Sequence, residues 1–403
     1  MTCATFPQQL KSVWLRLCLA AMVVFTGCQE DDAPVPQEPA AVPDFSFYFG
    51  ADLSYVNQIL DQGGVYKNQG QVQSPYKIFK DRGTNLVRFR LWHTPTWTQQ
   101  VYGPAGTAEY GNLADVEKGI RLAKEQGPHM LLDFHYSDTW ADPGKQDVPV
   151  AWAGIREVAV LKDSVYGYTK RTLTYLHSRG LLPELVQLGN ETNGGMLYTA
   201  APAGFPIAPI AQPERLGEVI NSAIKAVREV SASAGRKTKI LLHVADPQHV
   251  EYWFTKVMGQ GGVSDFDLIG FSYYPLWHPA VPLAQLSNQI AAWKTKFRKD
   301  VLLLETAYPW TTQWNDTYSN LLGGQTPLQG FPYTQEGQLN FLKALTQEVK
   351  DGGGQGVVYW EPAWITSNLK DLWGTGSPWE NAALFDFNGN ALMGFDYMRA
   401  TYK

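Results

Sequence analysis

From residue 44 onward the chain alternates two kinds of apolar pattern. Short runs, almost continuously apolar and rich in β-branched residues, recur at 47–53, 85–92, 130–136, 185–191, 240–245, 268–275, 301–308 and 356–362. Runs of that length without polar alternation predict strands covered on both faces. Stretches of helical period lie between them. In Val116–Glu125, the side chains of Val116, Ile120 and Ala123 share one face; Arg215–Val230 and Gln338–Val349 read alike. Glycine-containing turns close several helices just before the next strand, at Arg82-Gly83, Gln126-Gly127-Pro128, Arg179-Gly180 and 352–354. Eight strands alternating with helices over residues 44–403 predict an α/β fold, a (β/α)8 barrel in a single domain. The rival is an open doubly wound sheet, which carries a glycine-rich loop after its first strand. Here Gly50-Ala51-Asp52 runs directly into Leu-Ser-Tyr.

The first 43 residues have a different character. Lys11 and Arg16 precede an apolar run, Leu17 to Phe25, of signal-peptide length and too short to span a bilayer. The run ends in Phe25-Thr26-Gly27-Cys28, which resembles the lipobox of bacterial lipoproteins, with Phe25 where Leu is usual. Residues 1–28 therefore read as a lipoprotein-type signal peptide whose Cys28 is acylated. Residues 29–43 hold four prolines and four acids and read as an extended tether. The acids after Cys28 are similar to surface-export signals of some Gram-negative lipoproteins. The expectation is a lipid anchor at the bacterial cell envelope, on the outer-membrane surface, as the chain's only membrane attachment. The three cysteines all lie at or before Cys28, so the domain has no disulfide and no thiolate chemistry. A net charge of −5 argues against a nucleic-acid partner.

In a barrel the site forms at the C-terminal ends of the strands. Unusual polar residues cluster there: Arg88-Phe89-Arg90-Leu91-Trp92, Asp133-Phe134-His135, Asn190-Glu191, His243, Tyr273-Tyr274, Glu305 and Trp360-Glu361. Alternation puts Arg88, Arg90 and Trp92 on one face, and Asp133 with His135. Inward Arg88 and Asp133 read equally well as a structural ion pair, whereas Arg90 and His135 lie nearer the strand ends and lean towards function. Glu191 and Glu305 each terminate an apolar strand. One such glutamate is as readily a salt-bridge partner. Two, on the fourth and seventh strands, supply the acid and the second carboxylate that glycoside hydrolysis needs. Asn190 can bond a sugar hydroxyl, the Tyr274 phenol can orient a carboxylate, and Trp360 offers a stacking face. Thirteen of the fourteen tryptophans lie beyond residue 90, which suits sugar binding. Asp52, Asp133, Asp138 and Glu361 compete as carboxylates. With Trp360 pointing inward, alternation turns Glu361 towards the helices. Asp133, His135 and His243 could in principle hold zinc, but no HExxH or other short ligand spacing occurs, and no G-x-S-x-G supports a serine hydrolase. No catalytic metal is expected.

At these residues the sequence resembles glycoside hydrolase family 53, the endo-β-1,4-galactanases of a large (β/α)8 clan. The stretches that carry it are GADLSYV (50–56), LVRFRLWHTP (86–95), LLDFHYSDTWADPGKQ (131–146), LVQLGNETNGGML (185–197), FSYYPLWH (271–278), LLLETAYPW (302–310), VVYWEPAWI (357–365) and ENAALFDFNGNAL (380–392). They run in order through nearly the whole domain. The resemblance implies a retaining glycosidase acting on β-1,4-galactan, as in type I arabinogalactan side chains of pectin. Glu191 matches the acid/base and Glu305 the nucleophile. Arg90, His135, Asn190, His243, Tyr274 and Trp360 match positions lining the −1 subsite; the choices between Arg88 and Arg90, and between Tyr273 and Tyr274, stay open. Trp92, Asp138 and Trp140 fall where subsite walls are expected. No cofactor is required. Some bacterial relatives bind structural calcium in a long loop after strand eight; here 366–377 is short and Asp371 is its only acid, which argues against that ion. A monomer is expected. The alternatives are a non-catalytic polysaccharide-binding surface lipoprotein and another β-1,4-glycanase of the clan.

Overall fold

The computed structural model describes residues 46–103 and 108–403, so the signal peptide (1–28) and tether (29–43) lie outside the described residues. Eight parallel strands close a barrel: β1 (Tyr48–Asp52), β2 (Leu86–Leu91), β3 (His129–Phe134), β4 (Leu185–Leu188), β5 (Lys239–Ala245), β6 (Leu268–Ser272), β7 (Asp300–Glu305) and β8 (Gly356–Tyr359). Sequence neighbours pair throughout, and β8 closes on β1. Helices cover the outside. Their starts follow local chemistry: proline takes the first position of Pro75–Arg82, Pro213–Ser233 and Pro247–Gly259. Asn112 and Thr334 accept the amides of Asp115 and Gly337 at the heads of Leu113–Lys124 and Gln335–Asp351. Among the described residues, no helix is long and apolar enough to cross a membrane.

Two apolar layers hold this arrangement. The larger lies between barrel and helices and includes Val87, Phe89, Leu132, Val186, Phe271 and Leu303. The smaller fills the barrel: Tyr48, Leu86, Leu131, Leu185, Leu241, Leu268, Leu302, Leu304 and Val358. Period-two alternation runs from this plug towards the strand ends, through Leu86 to Arg88 and Arg90, and through Leu131 to Asp133 and His135. The plug thus gives the polar residues above it a dry floor.

Strands end earlier than several apolar runs suggest. β4 stops at Leu188, β6 at Ser272 and β8 at Tyr359. The backbone leaves the sheet through left-handed turns, with φ of 50° at Tyr136, 45° at Glu191 and 46° at Glu361. The apolar signal continues past the strand because these turns are buried under further loops.

One irregularity decides the position of a key residue. Leu302 and Leu304 both enter the plug, so strict alternation would turn Glu305 outward. Between β6 and β7, however, the register jumps: Phe271 faces Leu303, while Ser272 faces Glu305. Leu304 is the extra residue of a β-bulge, and Glu305 turns inward beside it. Gly270 makes this bulge fit, because a Cβ there would collide with the Leu304 side chain.

Candidate active site

A cleft of about 690 Å³ opens at the C-terminal ends of the strands. Its floor is a network centred on Arg88, which is almost fully buried. Nη1 of Arg88 donates to Asp52 (2.9 Å) and Glu305 (2.7 Å), and Nη2 donates to Asp133 and to Asn190 Oδ1, both at 2.8 Å. Nε donates to Gln187 at 3.1 Å. Five donors of one guanidinium thus tie β1, β2, β3, β4 and β7 together. A charge buried this deeply is tolerable because three carboxylates surround it.

Glu305 spends both oxygens on protein donors: Oε1 on Arg88, and Oε2 on the Tyr274 phenol at 3.0 Å. Glu191 lies beyond the end of β4. Its turn is pinned by the Gly189 amide on Phe134, the Thr192 amide on His243 and the Gln146 side chain on the Asn190 carbonyl (2.8 Å). Such bonds offset the left-handed backbone at Glu191, which costs about 1–3 kcal/mol. Glu191 Oε1 accepts from Ser272 Oγ at 2.5 Å. Glu191, His243 and Glu305 each have a polar atom within 4.8 Å of the others. Carboxyls this close fall on the side of about 5–5.5 Å, typical of double displacement, rather than the 6.5–9.5 Å that leaves room for an attacking water.

Burial raises both acids. For Glu305 the Arg88 guanidinium counters it, leaving a pKa of about 7. For Glu191 the Glu305 charge adds to burial and holds the carboxyl well above its ordinary range. The environments therefore leave the proton on Glu191 and the charge on Glu305. Burial raises the Tyr274 phenol, which stays a donor, and keeps His135 and His243 neutral. Both ring nitrogens of His243 are committed, Nε2 to Ser272 and Nδ1 among Gln187, Asn190 and the Glu191 amide, so the 4.8 Å cluster reads as paired acids rather than a metal centre.

Aromatic rings form the walls. Trp140 and Trp360 both line the cleft, with centroids 5.8 Å apart, and Trp379 stands edge-on to Trp360 at 4.8 Å. Trp277, Tyr318 and Trp373 extend the lining outward. Flat faces around two acids can hold successive sugar rings.

Beyond geometry, the model of the family described as "Glycosyl hydrolase family 53" matches residues 48–398. The chain belongs to glycosyl hydrolase family 53. It is 44% identical over 359 residues to the arabinogalactan endo-β-1,4-galactanase of Cellvibrio japonicus, covering 89% of this chain and 92% of that one. The solved family 53 catalytic domain of Ignisphaera aggregans superposes with a TM-score of 0.78 at 32% identity, covering 91% of this chain and all of that one. A fungal β-1,4-galactanase structure gives 0.73 at 27% identity, covering 88% and 99%.

Within this family 53 barrel, the site residues expected from sequence divide. Arg90, His135, Trp140, Asn190, Glu191, Tyr274, Glu305 and Trp360 line the cleft. Three others do not. Trp92 is buried behind the wall, against Trp97, Trp140 and Arg90, because Arg90 already occupies the mouth on that face. Asp138 ties two loops together, accepting the amides of Thr94 (2.9 Å) and Val150 (2.8 Å). His243 is fully buried beneath Glu191. Of the open pairs, Arg88 rather than Arg90 touches Glu305, and Tyr274 does so while Tyr273 bonds the Val281 carbonyl. Arg90 instead sits over the Tyr55, Trp92 and Trp140 rings and pairs with Glu361 at 3.3 Å. Glu361 does not face the helices. Its left-handed backbone breaks alternation and turns the carboxylate back under the barrel mouth. Gln187 and Ser272 were missed as site residues; both lie in register with the inward leucines of their strands, which was a usable signal.

Near the cleft edge, Asp371 accepts from the Tyr318 hydroxyl and the Trp373 and Gly374 amides, and Asp316 from the Tyr318 and Ser377 amides. Their oxygens are taken up by amides and a hydroxyl that tie the loops after β7 and β8 together, so they fit a calcium ion poorly.

Proposed function

We propose that this family 53 protein is an endo-acting, retaining β-1,4-galactanase, anchored by Cys28 to the cell surface and acting on galactan and type I arabinogalactan side chains. The observation that carries the reading is the acid pair at the base of an aromatic cleft: one carboxyl with both oxygens held by Arg88 and Tyr274, its partner held at one oxygen by Ser272 and lining the opening. Galactan as substrate rests on the similarity to the Cellvibrio arabinogalactan endo-β-1,4-galactanase.

In the proposed reaction, Glu305 attacks the anomeric carbon while Glu191 gives its proton to the departing O4. A galactosyl ester forms on Glu305. Glu191, now ionised, takes a proton from water, and the hydroxide displaces Glu305 with overall retention. Glu305 gives up its negative charge to the new bond as the ester forms, and Arg88 and Tyr274 stabilise the carboxylate before attack and again as it leaves. Asn190 Nδ2 donates one hydrogen to the Ala141 carbonyl at 2.8 Å and keeps a second for a sugar hydroxyl beside the reacting carbon. No metal enters these steps, and the monomer suffices.

The test is digestion of linear β-1,4-galactan beside mannan, xylan and β-glucan, following product size with time. Early mixed galacto-oligosaccharides support the reading. Faster cleavage of another polymer contradicts the substrate, and binding without cleavage contradicts the enzyme. Metabolic labelling with a fatty acid, lost in Cys28→Ser, tests the anchor.

A further inference from the structure

Glu191 has two oxygens, and an acid catalyst works only if its proton sits on the one that faces the leaving group. Ser272 Oγ is 2.5 Å from Glu191 Oε1 and 2.9 Å from His243 Nε2. Among the described residues, no protein donor is bonded to Oε2. A serine hydroxyl has one proton to give, so its direction depends on the histidine tautomer.

That tautomer is decided at the other nitrogen. His243 Nδ1 has two donors around it, Gln187 Nε2 at 3.0 Å and the Glu191 backbone amide at 3.3 Å. It also has one acceptor, Asn190 Oδ1 at 2.9 Å. The amide orientations are fixed by Arg88, whose Nε needs the Gln187 oxygen and whose Nη2 needs the Asn190 oxygen. Asn190 Oδ1 already receives hydrogens from Arg88 and Gln187. A protonated Nδ1 would overload that oxygen and set its hydrogen against the Glu191 amide. An unprotonated Nδ1 accepts from the Glu191 amide, and the two hydrogens of Gln187 Nε2 serve Asn190 Oδ1 and the Gly189 carbonyl at 3.1 Å. The proton therefore belongs on Nε2, where it points at Ser272 and leaves the serine hydrogen only one destination.

We propose that Ser272, held by His243 Nε2–H, is a positioning residue that caps Glu191 Oε1 and confines the acid proton to Oε2, the oxygen open to the cleft. The opposite tautomer would turn the serine hydrogen to His243 and draw the Glu191 proton onto Oε1, into the barrel and away from substrate. The inference rests on Glu191 being the acid/base. The other ionisable groups around Glu191 are Glu305 on β7, Asp142 after β3, Arg88 on β2, Tyr274 after β6 and His243 on β5; of these, only His243 bonds Ser272 and loses a partner when the serine is replaced.

The experiment compares wild type, Ser272→Ala, Ser272→Thr and Glu191→Ala on galactan and on an aryl β-galactobioside with a very good leaving group. Ser272→Ala is expected to lose about 10- to 100-fold on galactan and little on the aryl substrate, by analogy with loss of part of a proton-transfer contribution. The basic limb of its kcat/KM profile should move to higher pH, since the lost bond favoured ionised Glu191. Ser272→Thr, which keeps the hydroxyl, should restore both. Equal losses on both substrates with the limb unmoved would overturn the proposal. If Glu191→Ala itself shows no dependence on leaving group, the acid/base reading fails instead. Nitrogen-15 spectra of histidine in the wild-type protein give a test without substitution: a protonated Nε2 on His243 supports the relay and a protonated Nδ1 contradicts it.

Discussion

Glu305 closes a strand and is held at both oxygens, whereas Glu191 stands on a loop beyond its strand and is held at one. The first is delivered by a β-bulge that Gly270 and Leu304 make possible; the second, by a left-handed turn pinned to two neighbouring strands and one loop. The difference follows from the two proposed tasks. A nucleophile must be ionised and aimed along one line, so fixed donors on both oxygens serve it. An acid/base must change protonation twice per turnover with one oxygen open to the leaving group, then to water. Rigidity at the first residue and partial exposure at the second separate roles for two glutamates with the same side chain.

The largest effect should come from the held carboxylate. Glu305→Ala is expected to lose more than the roughly 10²–10⁴-fold that a proton-transfer group supplies, on every substrate, as measured by steady-state kinetics. Glu191→Ala should lose within that range on galactan, but keep rapid attack on an activated aryl glycoside, with turnover restored by an added small anion that replaces water. Equal behaviour of the two variants would erase the distinction.

Gly270→Ala separates the two mountings. A methyl group there meets Leu304 first, displacing it and with it Glu305, and the nearest atoms it meets include none of the Glu191 turn. A shift near 1 Å in a reacting atom costs about 10²-fold, so galactan and the aryl substrate should both lose about that much. Gly259→Ala, where nothing lies near the new methyl, should match wild type.

The pH profile carries the smallest but most diagnostic effect. Activity needs ionised Glu305 and protonated Glu191. The acid limb of kcat/KM should fall below about pH 7, as Glu305 takes up a proton, and the basic limb should lie higher, where Glu191 loses one. Glu191→Gln should abolish the basic limb and leave the acid limb. Loss of the acid limb instead would exchange the roles.

The barrel was legible because its strands are covered on both faces and its helices on one, which writes two different periods into the chain. The acid pair was legible because charge at the end of an apolar run is rare. What alternation could not decide were the residues that break it. Arg88 and Arg90 both point inward, so only the depth of the plug shows that Arg88 reaches Glu305. Leu302 and Leu304 both fill the plug, so the sequence alone argued no better for Glu305 inward than outward; the bulge depends on Gly270, a residue on another strand. Glu361 likewise escaped, since its direction is set by a left-handed turn. Ser272 was in plain register with Leu268, yet a serine acquires meaning only from the carboxylate and imidazole the fold brings to it.

The most direct measurement of the proposed division of labour is trapping of the covalent intermediate. An activated β-galactobioside bearing fluorine at C2 slows both steps, the second more, and peptide mapping by mass spectrometry locates the ester. The account predicts one label, on Glu305, with Glu191→Ala still labelled by the activated reagent. A label on Glu191, or rapid release of inverted product with no label, would contradict it.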